Sequence, residues 1–254
     1  MKRVIVCCLL ISAFSGCLND ALFEGPDFFS DDFEAYLSFD DMFPEEDALW
    51  SFTQITLPEN QLDLDSTFSH FGSQSIKCTA VPTANDIVSK SSIVKHNMAF
   101  WEGETMRASC WYYLEGNEPA DWLFLMDIEE QAAIGASPGI RLALVDSCMM
   151  VEHKFLEQDI YQPENQRVIF PRNEWVNLTW EITLSTKDDG AIRLYQNGQL
   201  IIEDTSTKTL PTDLLYFQQG TKGMYSSVEL GVTANSTGKN VKLWIDDMQV
   251  EVIK

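Results

Sequence analysis

In the run WLFLMDIEE, residues 122–130, Asp127 and Glu129 share one face if the segment is extended, because side chains alternate along a strand. Leu125 falls on that same side, while Trp122, Phe124, Met126 and Ile128 fall on the other. Neighbouring carboxylates of this kind can hold sugar hydroxyls or exchange protons with a substrate. A second constellation lies in MRASCWYYL, where Arg107, Trp111 and Tyr113 have common parity. Two rings beside a guanidinium make a flat apolar surface with a hydrogen-bond donor, which suits stacking against a sugar. Trp101, next to Glu102-Gly103, is a further surface candidate in an expected loop. The three histidines, His70, His96 and His153, are scattered without HxH or HExxH spacing, which argues against a zinc site. His153, in VEHKF, has the parity of Val151 and Phe155; it reads as a partly buried structural histidine or, alternatively, as a base.

The elements that must position these residues have a hydrophobic period of two. In VNLTWEITLS, Val176, Leu178, Trp180, Ile182 and Leu184 alternate with polar residues, the pattern of a strand with one wet face. Met106, Ala108, Cys110, Tyr112 and Leu114 form the apolar side of the strand that carries Arg107, Trp111 and Tyr113. IRLALV, VELGVTA and VKLWIDDMQVEVI are further expected strands, and Asn197-Gly198 between AIRLYQ and QLIIED predicts a hairpin, since both residues tolerate positive φ. In the last strand the apolar parity switches between Ile245 and Met248; a β-bulge at Asp246-Asp247 would reconcile the halves, and burial on both faces is the alternative. No segment sustains a helical stripe. Many strands with turns at short intervals predict an all-β fold, an antiparallel two-sheet sandwich.

Charge and cysteine content bound the function. The net charge is −22, and no Lys or Arg occurs between Arg3 and Lys77. This argues against nucleic acid as a partner and against adsorption to anionic headgroups through a basic patch; a polyanionic glycan is also electrostatically harder to bind than a neutral one. The first residues, MKRVIVCCLLISAFSGC, have a basic start, an apolar run too short to span a bilayer, and small residues before Cys17. They resemble a bacterial lipoprotein signal, with Phe14 where the family usually has Leu. The resemblance implies a signal at 1–16, lipidation of Cys17, and a mature chain in the bacterial cell envelope, periplasmic or at the cell surface, that touches the membrane through its lipid anchor only. Removing Lys2 and Arg3 makes the net charge −22 − 2 = −24. An acidic tether is expected over 17–30 and a single domain over 31–254. Cys78, Cys110 and Cys148 then remain, so at most one intramolecular disulfide can form, and buried thiols are the simpler expectation.

The run NEWVNLTWEITLSTKDDGAIRLYQNGQLI resembles the hairpin of concanavalin A-like jelly rolls, which include laminin-G-like lectins, heparin-lyase-I-like polysaccharide lyases and family 16 glycoside hydrolases. DDFEAY and VKLWIDDMQV are similar to the opening and close of secreted jelly-roll carbohydrate-binding modules. The resemblance implies a concave sheet that binds a polysaccharide or oligosaccharide. WLFLMDIEE is similar to the E-x-D-x-E signature of family 16, which would make Asp127 the helper and Glu129 the acid/base. Leu125 occupies the nucleophile's place, and a retaining mechanism needs two carboxylates, so a binding role is expected for Asp127 and Glu129. LYFQQGTKGMYSS, residues 215–227, is similar to the Y-F-K-A-G-x-Y signature of an alginate-lyase family, although Gln218 replaces the lysine and Tyr225 comes three positions late. That likeness implies proton abstraction α to a uronate carboxylate, with His153, Tyr225, Gln218 and Arg141 as the available groups. Similar jelly rolls often hold a structural calcium, for which Glu34 and Asp246 occupy matching positions and the His70–Gly72 turn could add carbonyls. The expectation from these lines is a carbohydrate-binding, lectin-like protein, with a β-eliminating polysaccharide lyase and a structural subunit of a surface complex as alternatives.

Overall fold

A computed structural model describes residues 25–44, 49–129, 139–154, 158–211 and 224–253. Two antiparallel sheets face each other across one core. The first, called the back sheet here, has the order β14 (Gln199–Thr207), β13 (Gly190–Gln196), β12 (Trp175–Thr183), β7 (Thr105–Leu114), β17 (Val241–Val252), β4 (Ser75–Ala80) and β3 (Gln61–Asp65), with β1 (Phe28–Asp31) also paired to β17. The second, the front sheet, has the order β11 (Gln158–Ile160), β10 (Cys148–His153), β9 (Gly139–Val145), β8 (Leu123–Glu129), β16 (Ser227–Asn235), β5 (Ser91–Lys95) and β2 (Phe52–Ile55). A short ribbon pairs β6 (Phe100–Trp101) with β15 (Met224–Tyr225). Among the described residues the only helical pieces are 3₁₀ turns at Phe39–Met42 and Glu164–Gln166. No helix among them is long and apolar enough to cross a membrane. The expected all-β sandwich is the architecture found.

The alternation read in the sequence becomes the core. Tyr112, Trp180, Ile182 and Leu178 from the back sheet meet Leu142, Val151, Ile128 and Leu230 from the front sheet, all with 1% exposure or less. Burial of aliphatic and aromatic side chains at roughly 1.5–3 kcal/mol each is the main drive for closing the two layers. The hairpin falls at Asn197-Gly198, both with positive φ (50° and 78°), joining β13 to β14. The bulge in β17 is also present: the pairing with β7 shifts between Asp246 and Gln249, and Asp247 has φ 48°.

Two places differ from the sequence reading. Phe28–Asp31 already pairs with β17 and buries Phe29, so the sheet reaches into the segment expected to be tether. Strand β8 does not alternate strictly. Its pairing with β9 shifts between Phe124 and Met126, so Leu125 and Met126 both join the main core. Phe124 instead packs on the outer side with Ala143, Met150 and Ala234. Cys78, Cys110 and Cys148 are all buried free thiols.

Candidate functional site

The outer face of the front sheet carries a row of charge. Cα pairing places Glu152 opposite Arg141, Arg141 opposite Asp127, and Asp127 opposite Glu229, so four adjacent strands contribute one charged residue each. Arg141 Nε lies 2.9 Å from Asp127 Oδ2, and its Nη1 lies 3.3 Å from Glu152 Oε2. The guanidinium sits 3.8 Å above the Phe124 ring, a cation–π contact that fixes its plane. Thr233 Oγ1 donates to Asp127 Oδ1 at 2.7 Å. Lys90 Nζ donates to both oxygens of Glu229, at 3.1 and 2.9 Å, and Ser92 Oγ donates to Oε1 at 2.5 Å. One step along β8, Glu129 accepts from Lys154 Nζ at 2.7 Å.

These groups are buried to an extent unusual for the outer side of a sheet: Asp127 is 0% exposed and Glu229 2%. Withdrawn from water, a carboxylate resists ionising unless cations and donors hold it. Burial, reinforced by the negative charge of Asp127, pushes Glu229 up to about 7 against the opposing pull of Lys90 and Ser92. Glu129 is raised for the same two reasons, with Lys154 opposing. A carboxyl that titrates near neutrality can accept or release a proton in a reaction, and acid–base sites are built from groups perturbed in this way. Arg141 adds a fixed cation that never deprotonates.

The structure thus joins two groups that the sequence kept apart, Arg141 and the pair Asp127 and Glu129. Leu125 is in the core, away from them. Of the other residues of the expected lyase set, the described ones, His153 and Tyr225, do not lie on this face. His153 has the parity of the core residues Met149 and Val151, is 1% exposed, and is depressed to about 4 by burial. Tyr225 packs in the main core and its hydroxyl donates to the Thr209 carbonyl at 2.5 Å. Gln218 and Cys17 lie outside the described residues. Glu229, Lys90 and Lys154 were missed. The signal for Glu229 was a lone acid inside the apolar strand VELGVTA. The lysines carry no pattern, because they flank strands. His96, one residue beyond β5, has the parity of Ser92 and meets Phe52 edge-on at 4.6 Å, which puts an imidazole on the same side.

Arg107, Trp111 and Tyr113 sit on the other layer, on the outer face of the back sheet. The aromatic platform expected there is capped. His70 stacks on Trp111 at 3.7 Å, and Phe68 lies 4.6 Å from Tyr113 and 5.5 Å from Trp175. The loop bearing these caps is held by the two acids expected to bind calcium. Asp246 Oδ2 accepts from His70 N–H at 2.8 Å and Phe71 N–H at 3.4 Å, while Glu34 accepts from Ser73 and Gln74 N–H, each at 2.8 Å. Both carboxylates are therefore engaged by backbone amides. Among the described residues no group of three or more His, Cys, Asp or Glu is placed to hold a metal ion. Trp101 packs against Ala99 and Met224.

The frame is thus a β-sandwich with a buried, ion-paired polar row on one outer face. The chain belongs to the polysaccharide lyase family, whose model matches residues 47–249. Its fold is similar to that of the endo-β-1,4-glucuronan lyase of the fungus Trichoderma reesei, at 13% identity and TM-score 0.63 over 80% of this chain and 90% of that one. It is also similar to the cellulose-induced protein Cip1, at 17% identity and TM-score 0.61 over 87% and 96%. A third similar fold is the alginate lyase Aly36B, at 7% identity and TM-score 0.56 over 91% and 99%. No curated protein sequence matches this chain.

Proposed function

We propose that this protein is a polysaccharide lyase that cleaves a uronate-containing glycan by β-elimination on the outer face of the front sheet. Cleavage of this kind needs a proton made acidic by the adjoining carboxylate, a cation or donor that neutralises that carboxylate, and a group that receives the proton. The observation that carries the reading is the buried row Glu152–Arg141–Asp127–Glu229, set in a chain of the lyase family. Arg141 is the group suited to face the uronate carboxylate. Glu229, poised near neutrality beside Lys90, is suited to take the C5 proton; the C5–H electrons form the C4–C5 double bond as the C4–O bond breaks, and the leaving oxygen takes up a proton from solvent water, leaving an unsaturated uronate. Lys90 and Lys154 pair with Glu229 and Glu129, so the face as a whole is close to charge-balanced.

The test is to incubate the purified protein with glucuronan, alginate and glycosaminoglycans and follow the ultraviolet absorbance of the new double bond. Absorbance should rise with at least one of them, and Arg141→Lys and Glu229→Gln should each lower kcat by about 100-fold or more. Silence across the panel from a folded protein would overturn the reading. The lectin-like alternative has one observation in its favour, the engagement of Arg141 by two carboxylates, and it predicts saturable binding with no absorbance change. The N-terminal sequence further supports placement in the cell envelope through a lipid on Cys17. Cys17→Ala should then move the protein from the membrane fraction to the soluble one.

A further inference from the structure

The outer face of the back sheet carries a second open depression, on the opposite side of the sandwich from the charged row. Its floor is one register row. Tyr195 on β13 pairs with Thr179 on β12, Thr179 with Ser109 on β7, Ser109 with Gln249 on β17, and Gln249 with Ser30 on β1. The hollow over the first four strands has a volume of about 520 Å³. Gln249 and Ser30 also line a larger hollow, of about 780 Å³, which continues the path past β17. Four strands at about 4.8 Å spacing give a track of about 15 Å, long enough for a short oligosaccharide.

The chemistry of the track is specific. Ser109, Gln249 and Tyr195 offer a hydroxyl, an amide and a phenol, and none of them takes part in a side-chain hydrogen bond among the described residues. Arg107 forms one wall and is itself neutralised. Its Nε and Nη2 donate to Glu181 Oε1 at 3.0 and 2.7 Å, and its Nη1 lies 3.5 Å from Glu251 Oε1. Arg193, the next cation along that row, pairs with Glu203 at 2.8 Å. Among the described residues every cation beside the track is thus matched by a carboxylate, and the adjoining hollow adds Asp32, Asp41 and Asp247. From these residues a polyanion finds no free positive charge, whereas the Arg–Glu pairs and the free hydroxyls present donors and acceptors side by side, the complement of vicinal sugar hydroxyls. Tyr195 at one end supplies an aromatic face.

We infer that the Tyr195–Thr179–Ser109–Gln249 row is a second, non-catalytic binding site for an uncharged, hydroxyl-rich glycan chain, distinct from the site proposed for cleavage. The neighbouring rings cannot serve this purpose while His70 and Phe68 cap them, which moves the recognition surface one to two rows along the strands from Trp111.

Calorimetric titration of the full chain with cellohexaose, xylohexaose and mannohexaose tests the inference. At least one should bind saturably, and Ser109→Arg, which fills the floor, and Tyr195→Ala should each weaken it 10-fold or more while leaving the melting temperature within a few degrees. Thr179→Arg is the second floor variant should Ser109→Arg not fold. The inference is overturned if none of the hexaoses binds, if binding survives the floor variants, or if a glucosamine or uronate hexamer is preferred in a way those variants abolish. The titration involves no cleavage, so its outcome is independent of the absorbance assay, and a protein that cleaves nothing can still show this site.

Discussion

At the scale of single residues, Glu229 and Arg141 decide how the front face behaves with pH. Glu229 is buried, and its proton is held more tightly in the native state than in the unfolded chain, since its pKa is raised from 4.5 to about 7. The linkage sign follows. The native state binds the extra proton between these values, so the stability contributed by protonated Glu229 is complete below pH 4.5 and is lost as pH rises through 7. Asp246, raised from 3.8 to about 6 mainly by burial, acts in the same direction over its own window. Denaturant unfolding measured from pH 4.5 to 8 should show wild-type stability declining by an amount on the order of 3 kcal/mol from Glu229. Glu229→Gln should flatten that decline, and an unchanged slope would refute the assignment. Arg141 tests the pairing itself. Arg141→Ala leaves Asp127 buried with its principal cation removed, which should cost about 3–5 kcal/mol. Arg141→Lys, which keeps the charge without the fork that reaches both Asp127 and Glu152, should cost clearly less in the same assay.

At the scale of elements, two of the positive-φ glycines, Gly198 and Gly231, sit in different settings and separate backbone preference from space. Gly198, in the β13–β14 turn, has φ 78° and nothing within 4 Å of an added Cβ. Gly198→Ala should therefore cost only the left-handed backbone penalty, about 1–2 kcal/mol. Gly231, in the middle of β16, has φ 119°, and an added Cβ would stand 2.8 Å from the Ser91 carbonyl oxygen and 2.9 Å from Cys78 Sγ. Gly231→Ala must move β5 or the core as well, so urea unfolding should show a loss at least 1 kcal/mol larger than for Gly198→Ala; equal losses would mean that the sheets yield freely there. The turn was legible in the sequence because Asn-Gly is a local signal, and the β17 bulge because apolar parity switches visibly at Asp246-Asp247. Strand β8 was not legible in the same way. Trp122, Phe124, Met126 and Ile128 fit strict alternation, and only the shifted pairing with β9 reveals that Leu125 and Met126 both point inward. The charged row escaped for a related reason. Its members come from β8, β9, β10 and β16, and which residues stand opposite one another is set by long-range register, which no local spacing encodes. Trp111 and Tyr113 were placed on the correct side of β7, but the covering loop reaches them through Asp246, more than a hundred residues away along the chain.

At the scale of the whole molecule, the charge balance sets how a polyanionic substrate would approach. The chain carries 39 acidic and 17 basic residues, and a field of that sign repels a polyuronate before any local contact forms. On the front face the balance is nearly even, with Lys90, Arg141 and Lys154 set against Asp127, Glu129, Glu152 and Glu229. Contact there is close to neutral while the approach is unfavourable. The two contributions respond differently to salt. The Debye length falls from about 30 Å at 0.01 M to about 8 Å at 0.15 M ionic strength, which removes most of the long-range repulsion and leaves the short, partly buried contacts at Arg141 largely intact. For a lyase acting on a polyuronate, kcat/KM should therefore rise several-fold over this range, chiefly through a lower KM, opposite to the trend for a protein that captures polyanions on a basic surface. The site on the back sheet, which takes an uncharged chain, should show an affinity for neutral hexaoses that changes little over the same range. A kcat/KM that falls with salt would show that the front-face cations outweigh the net charge, and would relocate the control of substrate capture from the whole molecule to the Lys90–Arg141–Lys154 group.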